Sequence, residues 1–204
     1  MSIFANYITP LKNNKYLVMK ENIIPAIRLT VFCAVFFSGI YTLSILGIAQ
    51  LAPNQGKGEI VTVNGKNHHI NVAQKFTENK YFWSRPSAVD YNAAGSGGSN
   101  KGPNNPEYLK EVETRIEAFL YKNPSVKRSE IPSELVTASG SGLDPNISII
   151  GAKVQIERIA NSRNLSEEKI AEVIKNNTER PLFGMFGPAK VNVLRLNIAL
   201  DKLN

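Results

Sequence analysis

The chain has 204 residues, a formal charge of +7, one cysteine and two histidines. A lone cysteine excludes a disulfide-stapled scaffold, and the adjacent His68 and His69 would point to opposite faces of a strand, which excludes a zinc site. The charge overstates any basic surface: residues 52–204 hold 20 Lys/Arg against 16 Asp/Glu, scattered without a basic run or interleaved aromatics, which argues against nucleic acid as a partner.

The first element is residues 29–51, LTVFCAVFFSGIYTLSILGIAQL, with no charged side chain in 23 positions. At about 1.5 Å per residue, a helix of that length crosses the ~30 Å hydrocarbon core of a bilayer. Lys12, Lys15, Lys20 and Arg28 precede it, with one acid, Glu21; Lys57 and Lys66 follow within a similar distance. Basic flanks stay in the cytoplasm. Residues 1–28 are therefore predicted as a cytoplasmic tail, 29–51 as a single transmembrane helix in the cell (inner or plasma) membrane, and 52–204 as a soluble domain on the outer side. A cleaved signal would carry a shorter apolar region and a small-residue site, whereas Gln50 stands two positions before Ala52. Thr30, Ala34, Ser38 and Thr42 recur every four residues, a small-residue stripe of the kind that lets membrane helices approach closely.

Residues 52–57 read as a linker. Glu59–Val63 and Lys66–Val72, joined by Asn64-Gly65, read as a hairpin closed by a type I′ turn. Residues 84–106, SRPSAVDYNAAGSGGSNKGPNNP, concentrate the chain breakers and predict a long loop. Asn105-Pro106 then opens a helix with Leu109, Val112, Ile116, Phe119 and Leu120 on one face, closed by Asn123-Pro124. Glu134–Thr137 reads as a short strand, and Ala138–Ser148 as a second polar loop. Ser148 is placed to cap a helix through about Ser162, with Ala152, Ile156, Ile159 and Ala160 inward. Ser166 caps another, with Ile170, Val173 and Ile174 inward. The last run, Asn192–Leu203, starts with strand-like alternation at Val191-Asn-Val193 but keeps helical spacing longer, which predicts a helix. The fold class expected is a single N-terminal transmembrane helix plus a mixed α/β (α+β) soluble domain.

Catalytic patterns are missing at the places that invite them. The Ser139–Ser148 segment has the strand–loop–helix order that cradles phosphates, but neither G-x-G-x-x-G nor G-x-x-x-x-G-K-[ST] occurs. Neither Ser139 nor Ser141 has the flanking glycines of a nucleophile elbow, and Ser166-Glu-Glu-Lys169 lacks the companions of a serine–lysine site. Asp144-Pro-Asn146 reads as a turn with an Asx hydrogen bond. A binding module or accessory subunit outranks an enzyme.

Longer blocks carry a resemblance. Tyr81-Phe-Trp-Ser-Arg-Pro-Ser-Ala88, Tyr91-Asn92, Ser96-Gly-Gly-Ser-Asn100 and Asn105-Pro106 stand in order with Leu135-Val-Thr-Ala-Ser-Gly-Ser-Gly-Leu-Asp144. Gln155, Arg158-Ile-Ala160, Val191-Asn-Val-Leu194, Leu196-Asn197 and Ala199-Leu-Asp201 complete the set. Together they resemble the C subunit of the Kdp-type potassium-transporting P-type ATPases, from the apolar span onward. Ser84, Lys101, Ile149 and Arg195 depart from the residues usual there, and the N-terminal tail is longer than is usual in the family.

The resemblance implies a four-component potassium pump in the membrane. A channel-like A subunit admits potassium, a B subunit hydrolyses ATP through a phospho-aspartate, and a small F subunit stabilises the assembly. The C subunit serves assembly and activity without catalytic residues, cofactor or metal of its own; potassium and Mg-ATP act through its partners. The expected partner-facing surface is the pair of polar loops, with Arg85, Ser87, Gly97, Gly98, Ser99 and Asn100 on one and Ser139, Gly140, Ser141, Gly142 and Asp144 on the other. The family is also described as a nucleotide-binding catalytic chaperone that raises the ATP affinity of the B subunit. Ser139, Ser141 and Gln155 are the nucleotide contacts expected under that alternative, which the predicted export of the domain disfavours.

Overall fold

The computed structural model describes residues 11–203 except 53 and 64, with side chains from Lys20 onward. The side chains of Lys12 and Lys15, and Asn64 of the expected turn, lie outside the described residues. The chain forms two compact units, Met1–Gly58 and Glu59–Asn204.

In the first unit α1 (Leu11–Cys33) runs on through a π-helical stretch, Ala34–Tyr41, into α2 (Thr42–Ala49). Among the described residues, Lys20–Ala49 is the one helix long and apolar enough to cross a membrane. Two of its hydroxyls return to the backbone: Thr42 Oγ1 donates to the Phe37 carbonyl at 2.9 Å and Ser44 Oγ to that of Ile40 at 2.7 Å. Such return bonds are what a hydroxyl needs in hydrocarbon, where no water satisfies it. The π-stretch was not legible in the apolar run. It contains Ala34 and Ser38 of the small-residue stripe.

In the second unit β1 (Ile60–Val63) and β2 (Lys66–His69) pair antiparallel, with Val63 opposite Lys66 and Gly65 at φ +76°. That geometry leaves the two-residue turn expected from the sequence. A second sheet has the order β3 (Asn146–Ser148), β5 (Lys190–Asn192), β4 (Thr178–Glu179), antiparallel throughout. Helices α3 (Pro106–Lys122), α4 (Ile149–Lys153), α5 (Ile156–Arg163), α6 (Glu167–Asn176) and α7 (Val193–Asp201) complete the unit. Phe82, Phe119, Ile147, Ile159, Ile170, Val191, Leu196 and Leu200 are core residues. A mixed α/β domain behind one long apolar helix is the architecture the composition pointed to.

Caps explain the helix starts. Asn105 Oδ1 accepts the Tyr108 amide at 3.0 Å, Ser148 Oγ that of Gly151 at 2.9 Å and Ser166 Oγ that of Lys169 at 3.4 Å, each relieving a helix-end donor. Asn192 does the same for α7 through the Arg195 amide at 3.0 Å.

Three elements differ from expectation. Residues 133–135 form a 3₁₀ turn after Pro132, not a strand; Thr137 Oγ1 closes it on the Ser133 carbonyl at 2.8 Å. The helix expected from Ser148 to Ser162 breaks at Val154–Gln155, where the Gln155 amide bonds the Ala152 carbonyl, a tighter i to i−3 turn. On α3 only Phe119 of the expected inward face is buried, and Leu109 stays exposed.

Candidate functional site

The two polar loops meet each other. Gly97 N donates to the Ser141 carbonyl at 2.9 Å, and Ser96 Oγ donates to the same oxygen at 2.9 Å. Ser139 N donates to the Pro86 carbonyl at 3.0 Å, and Ser87 Oγ to the Gly142 carbonyl at 2.6 Å. Ser87 Oγ also accepts the amides of Val89 and Tyr91, at 3.2 and 2.9 Å. Arg85 Nη1 pairs with Asp144 Oδ2 at 2.8 Å, and Asp144 Oδ1 accepts the Asn146 amide at 3.0 Å, the expected Asx turn. Tyr91 donates its phenol to the Arg85 carbonyl at 2.8 Å, and burial raises the phenol above its ordinary value.

Glycines occur where these backbones touch. A Cβ on Gly98 would stand 2.9 Å from the Gly140 carbonyl oxygen. At Gly142, with φ +69°, it would stand 2.6 Å from Val89 Cγ2 and 2.7 Å from the Gly97 oxygen. Gly97 has only an ordinary contact and Gly140 has open space. The four glycines grouped by sequence therefore do two different things. Gly98 and Gly142 hold the loops together, whereas Gly140 faces outward.

Of the other expected contacts, Asn100 and Ser141 are exposed and Ser99 is half-buried. Ser139 is buried. Gln155 has 0% exposure and lies in an internal network: its Oε1 accepts from the Trp83 amide at 2.8 Å and Arg158 Nη2 at 2.7 Å, while its Nε2 donates to the Gly151 carbonyl at 2.9 Å. Both polar atoms of its side chain are thus committed inside the protein. Thr30, Ala34, Ser38 and Thr42 are all exposed along the apolar helix.

Sequence reasoning missed the device that fixes the start of the first loop. Arg158 is buried and lies over the Trp83 ring, 4.1 Å from its centroid. Its Nε donates to Asn123 Oδ1 at 3.0 Å and its Nη1 to the carbonyls of Asn79 and Tyr81. Burial pulls the guanidinium down to about 10, so it remains charged at neutral pH. Beside it, Asn197 clamps Phe82 with two bonds, accepting its amide at 2.8 Å and donating to its carbonyl at 3.0 Å. Arg163 donates to the Lys80 carbonyl at 2.8 Å and pairs with Asp201 at 2.6 Å. Residues 80–83 are thereby fastened from α5 and α7. Helical periodicity gave no signal for it, because Arg158 falls away from the face that carries Ile156, Ile159 and Ala160.

Among the described residues no group of three His, Cys, Asp or Glu side chains is arranged to hold a metal ion. What the arrangement offers is a pre-formed polar surface whose backbone bonds are already made.

The family model described as KdpC: K+-transporting ATPase, c chain matches residues 23–202. This chain belongs to the KdpC family. The potassium-transporting ATPase KdpC subunit of Flavobacterium psychrophilum is 53% identical over 184 residues, which cover 90% of this chain and 99% of that one. The KdpC subunit of Bacteroides fragilis is 50% identical over 187 residues, covering 90% and 98%. That of Caldanaerobacter subterraneus subsp. tengcongensis is 46% identical over 184 residues, covering 89% and 95%. The KdpC match takes in the apolar helix, both polar loops and the Arg158 network, and begins at Ile23, beyond most of the N-terminal tail.

Proposed function

We propose that this KdpC-family chain is an accessory, non-catalytic subunit of a high-affinity ATP-driven potassium uptake pump, needed for assembly and activity of the complex. Its partners on this reading are the channel-like A, ATP-hydrolysing B and small F subunits. The N-terminus lies in the cytoplasm and residues 52–204 on the outer side, as the charge asymmetry across the span favours.

The observation that carries the reading is the mutual closure of the two polar loops. A phosphate-cradling loop keeps backbone amides free for its ligand. Here the amides of Gly97 and Ser139 are spent on Ser141 and Pro86, and the Gln155 side chain is spent internally. A closed loop pair suits a rigid docking surface, because binding then orders little new chain.

The experiment compares the membrane complex with and without this subunit, alongside ATP titration of the detergent-solubilised full chain. Potassium-stimulated ATPase activity should collapse without the subunit, while the isolated chain binds ATP negligibly. Saturable ATP binding by the chain, weakened in Ser141→Ala, would support the nucleotide-binding alternative. Full activity in its absence would remove the accessory role.

A further inference from the structure

The β4–β5 connection, Pro181-Leu-Phe-Gly-Met-Phe-Gly187, holds four large apolar side chains out of the soluble unit. Leu182, Phe183, Met185 and Phe186 are 63–81% exposed. The loop is a formed turn. Leu182 and Phe186 exchange backbone bonds at 3.2 and 3.0 Å, and Gly184 N donates to the Pro181 carbonyl at 2.9 Å. Phe183 and Gly184 take positive φ, +54° and +75°, and the rings of Phe183 and Phe186 meet edge to face at 6.5 Å. An ordered backbone thus holds an apolar tip in water, which marks an interaction site more often than an accident.

Arg180, the residue that leads into the loop, lines a cavity of about 410 Å³ together with Lys153, Lys175, Ile149, Ala171 and Ile174. Among the described residues these three cations make no ion pair; the acid next to Arg180, Glu179, pairs with Lys190 at 3.6 Å. Apolar tip and unpaired bases together form the pattern of an interfacial membrane anchor, apolar groups at the acyl boundary and cations on anionic headgroups. Protein interfaces deplete lysine, and two of the three cations are lysines.

We propose that the 181–187 loop inserts Leu182, Phe183, Met185 and Phe186 into the headgroup–acyl boundary of an anionic bilayer, with Lys153, Lys175 and Arg180 on lipid phosphates. The proposal rests on the apolar helix spanning that bilayer. It gives the subunit a second membrane attachment, independent of its partners.

The test uses the full chain carrying Cys33→Ser, with an environment-sensitive fluorophore on Phe183→Cys or, as control, on Lys110→Cys of α3. The chain is reconstituted into nanodiscs of phosphatidylglycerol and phosphatidylcholine with lipids nitroxide-labelled near the top of the acyl chain. The probe at 183 should be blue-shifted and quenched several-fold more than at 110. Combining Lys153→Gln, Lys175→Gln and Arg180→Gln should weaken that quenching, with Trp83 emission unchanged. Water-like emission at 183 in chain that co-elutes with the discs would overturn loop insertion and leave the span intact. A blue shift that needs the other pump subunits and shows no nitroxide quenching would likewise overturn it, in favour of a protein interface. Failure to co-elute with discs would overturn the span reading and this proposal with it.

Discussion

Arg158 lies face-on to Trp83, its guanidinium carbon 4.1 Å from the ring centroid, and hydrogen-bonds neutral oxygens with no carboxylate among them. A buried cation without a counter-ion is costly, and its burial shows in the lowering to about 10. The cost is offset by the π face and by hydrogen bonds to four oxygens, those of Asn79, Tyr81, Asn123 and Gln155. Because those acceptors belong to residues 79, 81, 123 and 155, one side chain ties α5 to the end of α3 and to the irregular segment entering the first polar loop.

Arg158→Lys should therefore be far from conservative. A lysine lacks the planar fork, so at least two buried oxygens lose their donor at about 1–3 kcal/mol each. The expected loss is roughly 3 kcal/mol. Denaturant unfolding of the full chain in detergent, followed by emission of Trp83, the only tryptophan, reads it directly. A midpoint unchanged from the parent would show that the network is incidental.

The glycines make a sharper comparison. Gly98→Ala and Gly142→Ala place a methyl against backbone within 3 Å, whereas Gly140→Ala meets nothing within 4 Å. Potassium-stimulated ATPase activity of the complex should fall several-fold in the first two and stay near the parent in the third. Gly142→Ala should also lower stability, through its positive φ, by about 1 kcal/mol or more. Equal tolerance at all three positions would mean that loop closure does not matter for the pump.

Capping and periodicity made Asn105, Ser148, Ser166 and the buried face of α6 legible, because those signals are local. The misreadings share a tertiary cause. Leu135 and Val136 are adjacent and both buried, which mimics a strand, but the backbone turns there to bring both into the core. Gln155 interrupts its helix where its side chain takes up the Trp83 amide, a partner 72 positions away. The strands β3, β4 and β5 have two or three residues each, too few to show a period of two. Arg158 was invisible as a core residue because a charged side chain carries no inward signal until its acceptors are known. Of the loop pair, the polarity was readable, but the division of labour between Gly98, Gly142 and Gly140 was not.

Acid should loosen two ion pairs on opposite sides of α3. The Lys101 hydrogen bond holds Glu111 below its ordinary value of 4.5, and the Arg128 hydrogen bond does the same for Glu113. A carboxylate lowered in the folded state stabilises above the unfolded value, and that contribution disappears as pH falls through the folded value. Glu113→Gln should melt slightly below the parent at pH 6 to 7, by a small margin because the pair is exposed, and the two should converge as the pH falls to 3, so that the variant loses less across the acid limb. An identical acid limb in parent and variant would show that the ion pair is solvated away.

Topology is tested without purification. Protease added to intact spheroplasts should digest the soluble unit if it is exported, the orientation that four basic residues before the span and two after it favour. Protection before lysis and digestion after it would place the unit in the cytoplasm and revive direct contact with ATP.

The apolar helix carries a further prediction. A π-turn holds more residues than an α-turn, so positions four apart drift less around its axis. The π-stretch Ala34–Tyr41 therefore keeps Ala34, Ser38 and Thr42 close to one line, which sharpens the small-residue stripe. Thr42 Oγ1 is already spent on the Phe37 carbonyl, so at that position the line offers a neighbouring helix close packing and not a hydroxyl bond. Ala34→Leu with Ser38→Leu should reduce co-purification of the pump subunits several-fold while leaving membrane insertion intact, since leucine is favourable in lipid. Leucine at Val35 and Phe37, off that line, should leave co-purification near the parent. Equal recovery of the complex from both pairs would reduce the stripe to ordinary membrane-helix composition.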